Sequence, residues 1–374
     1  MLGPFLETLI GGLLTGVLYS LVALGFVLIF KASGVFNFAQ GAMVLFAALT
    51  IARLAGAIDN KEVFLGQFVV AAAVLGVALA LIGWWTWREY VARGSGPTER
   101  RKLQLLALLG ALVGGGAAYV YGKGAWPLWL AIAATAAIMG LLAYAIERLV
   151  LRHLVNQEGI ILFMATLGIT YFLDGFGQTL WGSDVYSIHL GLPRDPIFLF
   201  EGIFEGGLLI DPGDLVAAGI AAALVVVLAI FFQKTRVGRA LRAVADDHAA
   251  AQSVGIPLNT IWLIVWTVSG LVALTAGLIW GAKLGVQFSI SLIALKALPV
   301  LILGGFTSVP GAIVGGLIIG AGEKLSEVFL APILVRTFDL AGGGIENWFA
   351  YVLALVFLLF RPQGLFGERI IERV

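Results

Sequence analysis

Eleven apolar stretches, separated by polar loops, dominate this sequence and constrain what it can fold into. They cover residues 5–30, 36–54, 63–87, 103–121, 126–146, 160–181, 214–232, 258–281, 289–304, 308–330 and 346–360. A helix needs about 20 apolar residues to cross a bilayer, and most of these stretches are long enough. Two of them, 36–54 and 289–304, are short and contain glycine, so we expect broken or re-entrant helices there. The sequence therefore predicts an all-α polytopic membrane protein with about 9–11 transmembrane helices.

The composition supports a membrane protein and excludes several kinds of chemistry. Hydrophobic residues make up 60% of the chain, charged residues 12%, and the mean hydropathy is +1.02. There are no cysteines, which excludes disulfides, thiolate chemistry and zinc sites with cysteine ligands. The net charge of +1 argues against a nucleic-acid partner. His153, His189 and His248 are scattered, with no spacing suited to a metal site or a catalytic dyad.

Lysine and arginine residues are concentrated in four places, and this predicts the orientation in the membrane. They occur in 88–102, after the fifth stretch, after the seventh stretch and in the tail. The 182–214 loop instead has six acids and one arginine. Because cytoplasmic loops carry the excess of lysine and arginine, we predict the N-terminus and the 182–214 loop outside and the C-terminus inside.

Two polar, glycine-containing segments near opposite ends of the chain share a pattern. In 33–41 and in 304–311 an aromatic residue follows a glycine by two residues or fewer, and a second glycine follows the first by seven. Transporters often bind their substrate where discontinuous helices occur at corresponding positions of two halves. A tight turn between two spans is the alternative, and the pattern leaves both open. The candidate path residues in these segments are Asn37, Gln40, Gly41, Gly304, Gly305, Thr307, Ser308 and Gly311.

A few ionisable residues fall inside apolar stretches. Asp174 is the most prominent, with Gln178 one helical turn further on the same face. A carboxylate within a span is costly unless it faces a wet cavity or a partner. Asp174 and Gln178 are therefore candidates for lining a path, the alternative being that Asp174 hydrogen-bonds a neighbouring helix near the outer end of its span. Lys296 and Glu323 flank the 304–311 segment and could pair across it.

The loop 233–257 contains a predicted helix that is too polar to span the membrane. Alanines and Leu241 favour a helix from Arg239 to Val254, and Gly255 with Pro257 ends it. A defined helix on the cytoplasmic side is what a transporter needs if an external motor pushes on it. The alternative is an amphipathic helix lying on lipid headgroups. We favour docking to a protein, because the apolar face is thin.

Four blocks of sequence, in order along the chain, resemble one known family. They are 19–30 running into Asn37-Phe38-Ala39-Gln40-Gly41; Ile146-Glu147-Arg148 with 165–168; 235–246 closed by Val254-Gly255-Ile256; and 303–312 with the tail 361–367. Together these blocks resemble the H-type permease subunits of ABC importers for branched-chain amino acids.

This resemblance implies a transport subunit that is not itself an enzyme. By it, the 239–257 helix corresponds to the coupling helix that docks in a groove of the ATPase. The coupling residues would be Arg239, Leu241, Arg242, Val244, Asp246, Asp247, Val254 and Gly255.

The implied partners are a second, related permease forming a heterodimer, two ATPase subunits, a periplasmic binding protein and the lipid of a bacterial inner membrane. This chain has no P-loop, the nearest approach being 117–124 with two wrong residues. No cofactor is therefore expected on this chain, and ATP with magnesium would bind the ATPase subunits.

Two features depart from the family pattern. Gln40-Gly41-Ala42 stands where the family usually has His-Gly-Glu, which puts the substrate in doubt. The chain is also longer between about 63 and 125, where it shows two extra apolar stretches. A two-helix insertion keeps the orientation of everything downstream, so we expect a single permease domain over 1–374.

Three functions are alternatives to a permease for branched-chain amino acids. A stand-alone secondary transporter or channel would use Asp174 and Glu323 to couple ions, with the 239–257 helix as a linker. A membrane-embedded enzyme would need a cluster of histidines or paired aspartates, and the sequence has none. Within the same family, urea, short amides and other small solutes are alternative substrates.

Overall fold

The computed structural model describes residues 2–34, 36–55, 128–154, 157–188, 196–199, 207–246, 248–339 and 343–367. Its helices are α1 Leu2–Ser33, α2 Gln40–Leu54, α3 Leu128–Leu149, α4 Gly159–Trp181, α5 Pro212–Lys234, α6 Arg236–Asp246, α7 His248–Ser253, α8 Leu258–Leu284, α9 Ile293–Gly304, α10 Val309–Leu325, α11 Ala331–Phe338 and α12 Ile345–Phe360. Short 3₁₀ turns at Leu151–His153 and Phe288–Leu292 and a π-helical turn at Ser326–Leu330 extend α3, α9 and α10.

The predicted fold class is confirmed. Five of the described helices are long and apolar enough to cross a membrane, namely α1, α5, α8, α4 and α3 with its 3₁₀ turn. Phe288–Gly304 and Val309–Phe338 form a pair bent by 114°, as a broken span or re-entrant loop would be, and α2 and α12 are shorter apolar helices. Each predicted apolar stretch among the described residues coincides with a helical segment. The predicted insertion at 63–125 lies outside them, and the single-domain organisation stays a prediction.

Helix α1 is the centre of the bundle. Every residue from Leu18 to Ile29 is buried, and α1 packs against α5, α8, α9 and α10. A helix that is apolar on all sides can be covered by protein or by lipid, so its apolar sequence alone does not decide its place in a membrane protein. The contacts with four other helices make α1 the core helix, while α3, α4 and α5 keep most of their apolar surface outward.

Small residues let α1 and α10 approach closely. Gly12, Gly16 and Ser20 recur every fourth residue on α1 and face Gly316 and Gly320 of α10. A Cβ on Gly16 would lie 2.5 Å from the carbonyl oxygen of Gly316. Since lipid provides no hydrophobic force between helices, such backbone proximity is a main source of association in a membrane.

The end of the bundle where α5 begins carries a small non-helical layer. Strands β1 (Ile197–Leu199) and β2 (Leu208–Ile210) form an antiparallel hairpin in which Phe198 pairs with Leu209. Lys283 Nζ and Asp214 Oδ1 are 2.7 Å apart and tie the end of α8 to the start of α5. The sequence analysis did not anticipate this hairpin, because its strands are three residues long.

Candidate functional site

The two polar breaks in the helices lie side by side. The rings of Phe36 and Phe306, one from each break, are 6.4 Å apart and nearly perpendicular, and Phe30 lies 5.5 Å from Phe306. Lys31 Nζ at the end of α1 donates to the carbonyl of Thr307 at 3.4 Å. The segments that share a glycine spacing are therefore neighbours in space.

The first break is closed by side-chain hydrogen bonds. Asn37 Oδ1 accepts a bond from the N–H of Ala39 at 3.1 Å, and Asn37 Nδ2 donates to Gln40 Oε1 at 3.4 Å. Gln40 reaches α8, where its Oε1 accepts from Ser269 Oγ at 2.6 Å and its Nε2 donates to the Ser269 carbonyl at 3.4 Å. Asn37, Gln40 and Ser269 are all 0% exposed. A neutral amide satisfies this dry site without placing a charge in it.

Gly41 joins this break to the segment that precedes α9. A Cβ on Gly41 would overlap the carbonyl oxygen of Ser291, in the 3₁₀ turn before α9. Only glycine allows α2 to begin so close to that turn. Asn37, Gln40 and Gly41 thus lie inside the helix packing of this chain, and their role in a path stays a prediction.

At the second break, the main chains on its two sides are in direct contact. Gly304 and Gly311 face one another, and a Cβ on either would overlap the main chain of the other. Ser308 caps α10, its hydroxyl accepting a bond from the N–H of Gly311 at 3.0 Å. Gly305 has φ = 102°, a conformation that favours glycine.

The tail supplies the hydrogen bonds that this break lacks. The N–H of Leu365 donates to the carbonyl of Leu303 at 2.8 Å, and that of Phe366 to the carbonyl of Gly304 at 3.1 Å. The last carbonyls of a helix have no partner within it, so these bonds cap α9. Gly364, at φ = 79°, approaches Gly305 so closely that a Cβ would lie 2.7 Å from the Gly305 nitrogen.

The predicted pairing of Lys296 with Glu323 is confirmed. Lys296 Nζ lies 2.7 Å from Glu323 Oε1, and the Glu323 side chain is 6% exposed. The Tyr19 hydroxyl donates to the same oxygen at 3.0 Å, and the Tyr19 ring stacks on Trp280 at 5.8 Å. The pair therefore links α9 and α10 to the central helix α1.

Asp174 and Gln178 lie far from both breaks along α4. Thr166, near the start of α4, lies 3.3 Å from the Phe36 carbonyl, and Gln178 is about 18 Å further along the helix axis. Gln178 is exposed, and Asp174 is half-buried. Asp174 Oδ1 has no hydrogen-bond partner in the part of the chain that the structure describes.

The polar helix predicted in the 233–257 loop consists of two short helices, α6 and α7. It begins at Arg236, earlier than predicted, because the Thr235 hydroxyl accepts a bond from the N–H of Gly238 at 3.0 Å. Val254 and Gly255 follow α7, with Gly255 at φ = 86° as the predicted stop.

The predicted coupling residues divide into two groups. Leu241 and Val244 are 1% and 0% exposed and pack on this chain, and Arg242 Nη1 donates to the Phe232 carbonyl. By contrast, Arg239, Asp246, Val254 and Gly255 are exposed. Asp247 lies outside the described residues. The apolar face of α6 thus holds it to the bundle, and the surface it presents outward is largely polar.

Several residues at these sites were missed by the sequence analysis. Ser269 is a hydroxyl in the apolar stretch 258–281. Tyr19 is the first residue of the block 19–30, and no role was predicted for it. A polar side chain within a span needs a hydrogen-bond partner. The sequence therefore indicates that Ser269 and Tyr19 are hydrogen-bonded, but it does not indicate to which residues.

An all-α bundle with a bent, broken span is the architecture of a polytopic membrane permease. The chain belongs to the family described as branched-chain amino acid transport system / permease component, whose model matches residues 103–361. The resemblance seen in the ordered sequence blocks is therefore confirmed.

The chain is similar to permeases from bacteria and an archaeon. It is 24% identical over 372 residues, 99% of this chain and 98% of the relative, to the high-affinity branched-chain amino acid transport system permease protein BraD of Pseudomonas aeruginosa. The corresponding protein LivH of Escherichia coli is 24% identical over 382 residues, with coverage of 99% and 98%. A probable branched-chain amino acid transport permease protein LivH of Methanocaldococcus jannaschii is 29% identical over 241 residues, 62% of this chain and 71% of that one.

Proposed function

We propose that this chain forms one side of the translocation path of an ABC importer for branched-chain or related small amino acids. ATP would be bound and hydrolysed by separate subunits that dock on α6 and α7. The observation that carries this proposal is the position of α6: it lies against the break at 304–311, with Leu241, Arg242, Thr307 and Ser308 lining one cleft.

That position makes α6 suitable for transmitting force. Its buried residues Leu241 and Val244 fix it to the bundle, so a push on its outer face moves the bundle and does not only tilt the helix. The break beside it is a discontinuity in a helix pair bent by 114°, where a small displacement can change the packing. A loose linker would provide neither the fixed attachment nor this contact.

A stand-alone secondary transporter is less compatible with these contacts. In that function Glu323 would bind and release an ion, yet it is held by Lys296 and Tyr19 and is almost fully buried. Such a satisfied group has a structural role in the described bundle. Asp174, whose buried Oδ1 has no partner among the described residues, is the acid that we assign to the path.

Docking on α6 can be tested with the exposed Arg239. We expect a P-loop ATPase to co-purify with the wild-type chain and Arg239→Glu to abolish both co-purification and uptake. Arg336→Glu is the matched control, because Arg336 is an exposed arginine on α11. The importer function is refuted if no ATPase co-purifies and Arg239→Glu leaves uptake intact.

We also propose a second permease as a partner, and α4 provides support. The face of α4 that does not pack on α2 is exposed and includes Gln178, Gly168 and Gly175, with Asp174 beside it. A Cβ on Gly168 or Gly175 would have nothing within 4 Å. An exposed glutamine is costly in lipid, whereas glycines allow a second chain to approach closely. This face is thus suited to a partner permease and to the path between the two chains.

Because the chain has no cysteine, this surface can be mapped by introducing single cysteines. Gly168→Cys and Gln178→Cys should cross-link to a second, related permease in membranes. Val227→Cys, on a 59% exposed position of α5, is the control expected to face lipid. A fully active homodimer would refute the heterodimer.

The substrate and the orientation complete the proposal. Branched-chain amino acids appear in the names of the three relatives described above, and a ligand screen of the cognate periplasmic binding protein distinguishes them from urea or short amides. The chain would lie in the bacterial inner membrane with its N-terminus periplasmic and its C-terminus cytoplasmic, as the basic loops indicate. Reporter fusions after Lys234 and after Trp181 should report opposite sides.

A further inference from the structure

A cleft of about 190 Å³ at the α6 end of the bundle combines two cations with apolar walls. Lys31 comes from the end of α1 and Arg242 from α6, while Phe232 and Phe366 come from α5 and the tail. Among the described residues, no acidic side chain lines this cleft. It is therefore a positively charged and partly apolar site, and the contact of α6 with the 304–311 break does not account for its two cations.

Neither cation is neutralised by a carboxylate among the described residues. Lys283, Lys296 and Lys324, by contrast, are each paired with a carboxylate. Lys31 and Arg242 instead donate to main-chain carbonyls, those of Thr307 and Phe232. Because each side chain has several N–H donors, donors remain for a ligand.

The start of α10 adds a third source of positive potential. Ser308, Val309 and Pro310 line the same cleft, and α10 runs for 17 residues from Val309. The N-terminus of a helix carries a partial positive charge of about one half. Three separate elements thus favour an anion at one place.

The apolar side of the cleft indicates where the anion comes from. Ala229 and Gln233 of α5 line it, and on the same helix Val226, Val227 and Ile230 are 56%, 59% and 54% exposed. On a helix that spans a membrane, exposed apolar side chains such as these three contact the acyl chains of lipids. The cleft, of about 190 Å³, has room for a phosphate and its glycerol, and the acyl chains would lie outside it.

We propose that this cleft binds the headgroup of an anionic phospholipid, with Lys31 and Arg242 on the phosphate oxygens and the acyl chains along α5. The bound lipid touches α6 and the 304–311 break together and so stabilises α6 against the bundle. This site does not depend on the identity of the ATPase or of the transported solute.

Native mass spectrometry of the full chain in detergent tests this site with phosphatidylglycerol and phosphatidylcholine. We expect selective retention of phosphatidylglycerol, and a loss of about tenfold in that selectivity in the double variant Lys31→Met/Arg242→Met, because charge-assisted hydrogen bonds are removed. The conservative variant Lys31→Arg/Arg242→Lys should keep the selectivity. Lys283→Met, which removes a cation at the other end of the bundle, should also keep it.

The same preparation separates a lipid from a soluble anion. Phosphatidylglycerol should raise the unfolding midpoint, whereas glycerol 3-phosphate at millimolar concentration should not. Equal retention of the two lipids by the wild-type chain, or unchanged selectivity in the double methionine variant, overturns the proposal. An equal effect of glycerol 3-phosphate also overturns it, because the site then takes a free anion.

Discussion

The breaks at 34–41 and 304–311 have the same glycine spacing and lie side by side, but different contacts stabilise them. At the first, Gln40 and Asn37 form a buried network with Ser269, and Gly34 lies in open space at φ = 70°. At the second, Gly304 and Gly311 touch through their backbones.

This difference shows that similar sequence patterns can stop a helix for different physical reasons. The first break depends on its side-chain hydrogen bonds and, at Gly41 alone, on close backbone contact, because a Cβ there would overlap the Ser291 carbonyl. A break held by backbone contact has no free volume, so any added atom must separate two helices. The first break is therefore open around Gly34 and tight at Gly41, whereas the second, next to α6, is tight at both of its facing glycines.

The largest effect is expected from Gly311→Ala. Its methyl group would overlap the main chain of Gly304, which cannot move aside like a side chain, so we expect a loss of about 3 kcal/mol or more. The measurement is the yield and the unfolding midpoint in detergent, followed by size-exclusion chromatography. A midpoint equal to that of Gly34→Ala would show that the two breaks do not differ in this way.

An intermediate effect is expected from Gln40→Met at the first break. Methionine fills a similar volume but leaves Ser269 and Asn37 without their partner, at a cost of about 1–3 kcal/mol. The same substitution at Gln252, which is exposed on α7, should leave the unfolding midpoint unchanged. Adding Ser269→Ala to Gln40→Met should cost less than the sum of the single changes. Strict additivity would contradict the network.

The smallest effect is expected from Gly34→Ala. No atom lies within 4 Å of the added Cβ, so only the left-handed backbone conformation is penalised, by about 1–2 kcal/mol. Gly34→Asn should recover part of that loss, since asparagine tolerates this conformation. Unfolding midpoints of the two variants test this, and a loss as large as that of Gly311→Ala would mean that Gly34 is also packed.

Sequence reasoning predicted the helices well because a bilayer imposes their length and their apolar character. It also identified the two breaks, since glycine and polar residues interrupt α1–α2 and α9–α10. It could not predict the contacts of the two breaks. Gln40 is hydrogen-bonded to Ser269, which lies 229 residues further along the chain, and nothing in the sequence near either residue indicates the other. It assigned Leu241 and Val244 to the coupling surface, although their apolar character is used for packing on the bundle.

The packing of α1 against α10 also has a consequence for how this protein is made. Ser20 and Ile313, which are hydrogen-bonded, are separated by 293 residues. Helix α1 therefore leaves the ribosome long before α10, and its glycine face stays without that partner until α10 has been made. The bundle can close around α1 only after α10 has entered the membrane. Premature termination before α10 should therefore leave the glycine face of α1 unpacked, and such a chain is a substrate for membrane proteases.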